Sequence, residues 1–354
     1  MPDDRTTDAI AHWAPRFIAQ GVDYNDFVRT TAAVERWEQW LDAWVATGDM
    51  HAEQAADAER RRRRLTAGEA YVRAALCYHF ATFVWLVDLA KRKVTAERAV
   101  RTQYAALSLL DPSAQRLEIP FGHMTMVGNL RRPSPAGRYP LVLLLPGLDS
   151  TKEEFFHWEN VFLTRGLATL SLDGPGQGET GEKMPIRPDY EAAVTVALDA
   201  VRDRPALDLR RIGVVGVSLG GYYAPRTAAF ELGVKAVAAI GGPYNFGECW
   251  AQLPALTRET FVYRSGARDE REGQAKASQL TLAGILPKVK VPLLVVFGKQ
   301  DRLIPYRQAE RVVAEAPNAT LVMYPEGNHA CNNIPYKYRP LVGDWMAEQL
   351  RADA

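Results

Sequence analysis

The chain has 354 residues, of which 47% are hydrophobic, and its formal net charge at pH 7 is +1. A chain of this length and composition can bury a large core, either as one big domain or as one domain with an accessory piece. The near-neutral charge argues against a dedicated nucleic-acid-binding protein, because phosphate backbones are bound by a strong excess of basic residues.

The cysteines and the apolar segments favour a cytoplasmic protein. Cys77, Cys249 and Cys331 are too few for a disulfide framework and show no CxxC spacing. The N-terminus is acidic at its start and lacks the apolar core of a signal peptide. Residues 74–87 are uncharged, but a membrane span needs about 20 residues. We therefore expect a buried helix there and no membrane contact.

The first hundred or so residues predict a helical region. Apolar residues recur at helical spacing within residues 34–45, including Trp37, Trp40 and Trp44, and form one broad stripe. We interpret this stripe as packing, with a ligand-binding role as the alternative. The last helical pattern stops before an Asp-Pro pair, which places a helical N-terminal region at residues 1–114.

From about residue 115 the pattern changes to strands. After two short segments that predict a hairpin, near-continuous apolar runs separated by helical stretches lie at 140–146, 167–172, 211–217, 234–240, 291–297 and 319–324. Such an alternation predicts a mostly parallel sheet that is covered by helices on both faces. We therefore predict an α/β catalytic domain over residues 115–354. Its longest interruption, residues 242–288, is too long for a simple connection and is predicted to be a pocket insertion.

Ser218 lies in the segment GVSLG, between the apolar run 211–217 and a predicted helix. The chain must turn sharply there, which forces the serine into a strained backbone conformation that small flanking residues allow. The hydroxyl then stands at the carboxyl edge of the sheet, where helix amides point at developing negative charge. The context is that of a nucleophile elbow, and a purely structural turn is the alternative.

A serine hydroxyl needs a base, and the base needs an orienting acid. His329 follows the last predicted strand and Asp301 follows the strand before it, so both reach the edge where Ser218 lies. The chain order serine, aspartate, histidine is the one used on sheets of this kind. Asp173 also follows a strand and is the rival acid, which we interpret as a brace for the active-site loops.

Two backbone amides are predicted to bind the oxyanion. One belongs to Leu219, directly after the serine, and the other to Leu148, where Gly147 allows close backbone approach. A simple turn and helix cap is the alternative interpretation of the Leu148 loop. No metal and no other cofactor is predicted, because metal-ligand spacings such as HExxH and glycine-rich phosphate loops are lacking.

Over residues 115–354 the chain resembles the α/β-hydrolase superfamily, through the segments LLLPGLDSTKEE, LDGPGQGET, GVSLGG, GKQDRLIP and EGNHACNN. More narrowly, it is similar to the group that contains 2,6-dihydroxypseudooxynicotine hydrolase and the fungal pigment hydrolases that shorten polyketides, near the FrsA-like esterases. This resemblance implies that residues 1–114 cap the serine and that a carbon–carbon bond beside a ketone is hydrolysed. It also implies a carboxylate in the pocket, for which Glu248 is the candidate. A partly exposed loop carboxylate is the alternative for Glu248.

Three functions are open at this stage. The first is a serine-type hydrolase of an activated ketone in a small aromatic or polyketide-like molecule. The second uses the same residues to cleave a carboxylic ester, lactone or thioester, or to transfer its acyl group. The third is a non-catalytic binding protein on the same fold. The sequence also leaves open whether the protein forms a homodimer.

Overall fold

The computed structural model describes residues 2–351, and the chain divides into two compact units. The helical unit comprises the described residues up to Ala114 together with Glu153–His157. The sheet unit comprises Gln115–Lys152 and the described residues from Trp158 onward. The sequence did not predict that Glu153–His157 would group with the helical unit. A cap function for residues 1–114 stays a prediction.

Long helices build the helical unit: α1 (Asp4–Gln20), α2 (Tyr24–Ala32), α3 (Trp40–Arg60), α4 (Arg64–Thr82) and α5 (Leu89–Leu110). An aspartate precedes three of them and accepts a hydrogen bond from an amide of the first turn, at Asp3, Asp23 and Asp88. Among residues 2–351, no helix is long and apolar enough to cross a membrane.

Aromatic side chains fill the core of the helical unit. Phe17 stacks on Phe80 with 3.8 Å between the ring centroids, and the indole of Trp40 donates a hydrogen bond to the Phe80 carbonyl at 2.9 Å. Trp37, Trp40 and Trp44 are at most 2% exposed. The tryptophan stripe is therefore packing within this unit, which confirms the first of its two interpretations.

The sheet unit contains β1 (Gln115–Phe121), β2 (Met124–Arg131), β3 (Tyr139–Leu145), β4 (Ala168–Asp173), β5 (Leu207–Val217), β6 (Val234–Ile240), β7 (Leu293–Gly298) and β8 (Ala319–Tyr324). These strands form one sheet in the order β1-β2-β4-β3-β5-β6-β7-β8. The β1–β2 and β2–β4 pairs are antiparallel, and the pairs from β4 to β8 are parallel. This arrangement confirms the predicted α/β-hydrolase fold.

The strands are joined by α6 (Phe156–Leu163), α7 (Gly178–Gly181), α8 (Glu191–Asp199), α9 (Gly220–Phe230), α10 (Ala255–Arg264), α11 (Glu270–Ala277) and α12 (Arg307–Glu315), and α13 (Pro335–Gln349) follows β8. The interruption at 242–288 contains α10, α11 and a 3-10 turn over Gly247–Gln252. Because β3, β5, β7 and β8 run parallel, the loops at their carboxyl ends share one edge of the sheet. That edge carries Leu148, Ser218, Asp301 and His329.

Candidate active site

Ser218 lies between the end of β5 and the start of α9 with a φ of 57°, in the left-handed region that residues other than glycine seldom adopt. A Cβ atom added to Gly216 would lie 1.9 Å from the carbonyl oxygen of Gly220, and one added to Gly220 would lie 2.1 Å from that of Leu145. Larger side chains would therefore push the turn open. The backbone contacts hold Ser218 in its strained conformation at the end of β5.

His329 links Ser218 to Asp301. Its Nε2 lies 2.8 Å from the Ser218 Oγ, and its Nδ1 lies 2.8 Å from Oδ2 of Asp301. The other oxygen of Asp301 accepts hydrogen bonds from the amides of Leu303 and Ile304, each at 2.9 Å. With a carboxylate at Nδ1, the imidazole holds its proton there, and Nε2 is free to accept the serine proton.

The loop that carries His329 is held by its own asparagines. The amide of Asn328 donates to the side-chain oxygen of Asn333 at 2.9 Å, and the amide of Asn333 donates to that of Asn328 at 3.2 Å. Ala330 and Cys331 follow with φ values of 53° and 55°. This reciprocal pair fixes a strained turn directly after the histidine, and no sequence motif pointed to it.

The Leu148 and Leu219 amides are both available beside the serine. A Cβ atom on Gly147 would lie 3.0 Å from the Cβ of Ser218, which brings the backbone of this loop against the serine. Among residues 2–351, neither amide donates a hydrogen bond to the protein. Two unpaired N–H groups next to a serine are what an oxyanion hole requires.

Asp173, the rival acid, pairs with Lys152, whereas His329 pairs with Asp301. Its Oδ1 accepts from the amide of Lys152 at 2.8 Å, and its Oδ2 accepts from the Lys152 ammonium at 2.9 Å. The same ammonium donates to Glu179 at 2.6 Å. Burial raises the pKa of Glu179, but hydrogen bonds from Arg116 and the charge of Lys152 outweigh it and hold the pKa at about 2. Asp173 thus braces the loop after β3, as predicted. The sequence did not indicate that Lys152 is its partner, although Lys152 stands in the segment LLLPGLDSTKEE.

Glu248 contacts residues of α12 and forms no hydrogen bond with Ser218 or His329. It lies in the turn Gly247–Gln252 with 44% of its side chain exposed, and it forms an ion pair with Arg311 of α12. Its carboxylate also accepts a hydrogen bond from the side chain of Gln308 at 3.0 Å. These contacts favour the alternative interpretation of Glu248 as a partly exposed loop carboxylate.

The cysteines near this edge are not rival nucleophiles. All three cysteines of the chain are buried and free of disulfide bonds. Burial, together with the negative charge of Asp301, raises the pKa of both Cys249 and Cys331 to about 12. Since the thiolate is the reactive form, both thiols stay inert near neutral pH. Ser218 therefore remains the candidate nucleophile of this edge.

Comparisons with known proteins agree with this fold. A family model described as esterase FrsA-like matches residues 20–350. The 2,6-dihydropseudooxynicotine hydrolase of Paenarthrobacter nicotinovorans is 33% identical over 350 residues, which cover 98% of this chain and 93% of that protein. The crystal structure of 2,6-dihydroxy-pseudo-oxynicotine hydrolase has a TM-score of 0.88 at 32% identity, with 95% of each chain covered.

Fungal relatives align over a shorter stretch. The 20-hydroxy-prefusarin hydrolase of Gibberella moniliformis is 32% identical over 246 residues, which cover 65% of this chain and 58% of that protein. The solved structure of AbyA5 has a TM-score of 0.74 at 20% identity over 89% of this chain, a likeness that concerns the fold alone.

The parallel sheet and the serine turn after β5 define an enzyme of the α/β-hydrolase class, and the relatives are hydrolases. Within that class, the chain belongs to the FrsA-like esterase family. Both the superfamily and the narrower group suggested by the sequence motifs are confirmed.

Proposed function

We propose that the protein is a serine hydrolase that works through an acyl-enzyme, with Ser218 as nucleophile, His329 as base and Asp301 as the acid that orients the imidazole. The observation that supports this proposal is the hydrogen-bonded chain from Ser218 through His329 to Asp301, with 2.8 Å at both steps. A serine that is only structural would not require its hydroxyl on the Nε2 atom of an oriented histidine.

In the first half of the reaction, the Oγ of Ser218 attacks the substrate carbonyl and its proton passes to Nε2 of His329. The negative charge on the carbonyl oxygen is stabilised by the amides of Leu148 and Leu219. The bond to the leaving group then breaks, and the leaving atom keeps the electron pair and takes up the proton that His329 received from Ser218, which returns the imidazole to its neutral form. Water, deprotonated by His329, cleaves the acyl-enzyme and releases a carboxylic acid.

The substrate that we propose is a ketone in a small aromatic or polyketide-like molecule, cleaved at the carbon–carbon bond beside the carbonyl. The full-length similarity to 2,6-dihydropseudooxynicotine hydrolase supports this choice. The leaving carbon must be an electron sink, such as a phenolic ring or an enolisable position, because it carries the electron pair of the broken bond. The products are a carboxylic acid and a fragment in which the leaving carbon has gained one hydrogen, with one water consumed.

A carboxylic ester, lactone or thioester is the second candidate substrate, with water or another nucleophile as the acyl acceptor. Two observations favour it: the matching family is described as esterases, and the carboxylate of Glu248 is engaged with Arg311. An alkoxide leaving group needs one proton, which His329 can return after taking it from Ser218. No additional pocket acid is needed for this reaction.

The Ser218→Ala variant tests the acyl-enzyme proposal. It should fold with an unchanged unfolding midpoint, and its kcat on a p-nitrophenyl ester should fall by several orders of magnitude. Wild-type activity in a folded Ser218→Ala protein would contradict the proposal.

A matched pair of substrates separates the two bond types. An aryl ketone with ortho-phenol groups and the aryl ester of the same acid would be offered to the wild-type enzyme, and both products would be quantified by chromatography. We expect the acid and the free phenol fragment from the ketone. Turnover of the ester alone would favour the second candidate.

A further inference from the structure

Gln177 lies next to the candidate oxyanion site, and both its side-chain nitrogen and its side-chain oxygen form hydrogen bonds. The residue is 1% exposed. Its Nε2 donates to the carbonyl oxygens of Pro146 at 2.5 Å and Gly147 at 3.2 Å. Its Oε1 accepts from the amide of Gly174 at 3.1 Å and from the hydroxyl of Tyr190 at 2.5 Å. All four bonds lie within the sheet unit.

The network allows only one orientation of this side-chain amide. The Gly174 amide can only donate, so the Gln177 atom that faces it must be the oxygen. The nitrogen then faces the two carbonyls, which can only accept. A side chain of the same length without N–H donors would leave both carbonyl oxygens of the loop without this partner.

The carbonyls that Gln177 binds determine where the neighbouring amides point. The peptide bonds of residues 2–351 include no cis bond, and in a trans peptide the C=O and N–H groups point in opposite directions. With the Gly147 carbonyl turned toward Gln177, the N–H of Leu148 must point away from Gln177. The same holds for the Pro146 carbonyl and the N–H of Gly147.

We propose that Gln177 is a positioning residue, which holds the Pro146–Leu148 backbone so that the Leu148 amide faces the oxyanion. This inference rests on the function proposed above. If the peptide planes of the loop could rotate, the Leu148 N–H would have to be reoriented each time the oxyanion forms, which costs free energy. An N–H group that is already fixed in place avoids this cost. The buried side chain of Gln177 thus supplies preorganisation without touching the substrate.

Tyr190 extends this support to the helix that follows the serine. Its ring stacks on Tyr223 of α9 with 3.9 Å between centroids and 13° between planes. Burial raises the pKa of Tyr190 well above its usual value, so its hydroxyl stays protonated and donates to Gln177. A continuous chain of contacts therefore runs from α9 through Tyr190 and Gln177 to Gly147.

The first test replaces Gln177 by Met, which has a similar length and no donor. On a p-nitrophenyl ester we expect kcat to fall by about 10- to 10²-fold with little change in KM, below the about 10²- to 10³-fold loss of a whole oxyanion donor. The affinity for a trifluoromethyl ketone, whose serine adduct carries an oxyanion, should fall by the same factor. The affinity for the corresponding alcohol, which forms no oxyanion, should be unchanged.

Tyr190→Phe is the second, milder variant, and it decides the question if Gln177→Met does not fold. It keeps the stacked ring, removes only the bond to Gln177, and should lower kcat by about 3- to 10-fold, as expected for loss of one supporting hydrogen bond. Tyr222→Phe is its matched control, because the Tyr222 hydroxyl donates to the Pro188 carbonyl at 2.8 Å and not to Gln177. Tyr222→Phe should keep the wild-type kcat.

The outcomes separate this inference from the proposed function. If Ser218→Ala is inactive but folded Gln177→Met keeps kcat and inhibitor affinity within about twofold, the positioning role is overturned and the serine mechanism stands. Equal losses of affinity for the ketone and the alcohol would also overturn it, since they indicate a merely structural role. Full activity of Ser218→Ala would instead overturn the proposed function.

Discussion

Each unit of the molecule contains a buried histidine paired with an aspartate, and the two histidines differ in what their other ring nitrogen contacts. In the helical unit, Nε2 of His51 lies 2.6 Å from Oδ2 of Asp26, and among residues 2–351 its Nδ1 has no hydrogen-bond partner. In the sheet unit, Nδ1 of His329 lies 2.8 Å from Oδ2 of Asp301, and Nε2 holds the hydroxyl of Ser218. Both histidines are 7% exposed.

A buried histidine–carboxylate pair is therefore not by itself sufficient for the chemistry that we propose. In the mechanism that we propose, Nε2 of His329 can act as the base because a strained turn places the Ser218 hydroxyl on it, beside two amides that have no hydrogen-bond partner among residues 2–351. The helical unit has no such turn at His51, which lies inside α3. Its pair therefore serves packing and hydrogen bonding within the helical unit.

The largest expected effect on activity comes from removing the carboxylate charge of Asp301. Asp301→Asn should favour the wrong imidazole tautomer and lower kcat by about 10³- to 10⁴-fold, as expected for the acid of a serine–histidine–aspartate triad. Asp26→Asn, the matched control in the helical unit, should leave kcat within about twofold. Steady-state kinetics on a p-nitrophenyl ester measures both, and equal losses would contradict the distinction between the two pairs.

A second comparison concerns stability, through the buried ion pair of the helical unit. Both nitrogens of the Arg16 fork donate to Glu154 at 2.7 Å, and His79 lies 3.2 Å from the same carboxylate. Burial raises the pKa of Glu154, but Arg16 and His79 lower it to well below its usual range. Arg16→Met should therefore lower the free energy of unfolding by about 3–5 kcal/mol, because it strands a buried charge.

Lys91→Met is the control for this prediction, because Lys91 pairs with Asp42 and both side chains are exposed, at 48% and 61%. Exposed ion pairs contribute about 0–1 kcal/mol, so denaturant unfolding should show a much smaller change. A loss for Arg16→Met as small as that for Lys91→Met would mean that Glu154 is not a buried charge in solution.

A smaller effect on the free energy of unfolding is expected when the pH is lowered and Glu179 of the sheet unit becomes protonated. Its pKa is about 2 in the folded protein against 4.5 ordinarily, so the folded state binds fewer protons than the unfolded state between these values. The contribution of Glu179 to stability is present above about pH 4.5 and is lost as the pH falls toward about 2. The difference in the free energy of unfolding between wild type and Glu179→Gln, measured in urea, should therefore shrink as the pH falls from about 4.5 toward about 2. A difference that does not change with pH would contradict the lowered pKa.

The smallest effect is expected at Glu248. Its ion pair with Arg311 is 44% exposed on both side chains, so Glu248→Gln should change stability by less than about 1 kcal/mol. It should also change kcat on the ketone and on the ester by less than about twofold. A loss of about 10²-fold on the ketone alone, the size of an acid–base contribution, would put this carboxylate in the reaction and favour carbon–carbon cleavage.

The sequence predicted those parts of the fold that local pattern decides. The apolar runs are strands because a sheet covered on both faces needs continuous apolar sequence, and β4 and β7 are buried at every residue. Ser218, Asp301 and His329 could be selected because each follows a strand and the order of the three is characteristic. The structure brings these three side chains together.

The partners of the surrounding side chains could not be predicted, because they depend on tertiary contacts. Lys152 and Glu154 stand two residues apart, yet the first binds Asp173 in the sheet unit and the second binds Arg16 in the helical unit. The chain forms a 3-10 turn over Lys152–Phe155, followed by α6. In the sequence alone Gln177 cannot be distinguished from other polar loop residues, because only its four tertiary hydrogen bonds indicate a role.

The central claim is that Ser218 carries the acyl group, and covalent labelling tests it most directly. The wild-type protein and Ser218→Ala would be treated with a fluorophosphonate, digested, and mapped by peptide mass spectrometry. We predict one adduct in the wild type, on the peptide that contains Ser218, and none in the variant. An adduct on a different serine, or equal labelling of Ser218→Ala, would contradict the assignment of the nucleophile.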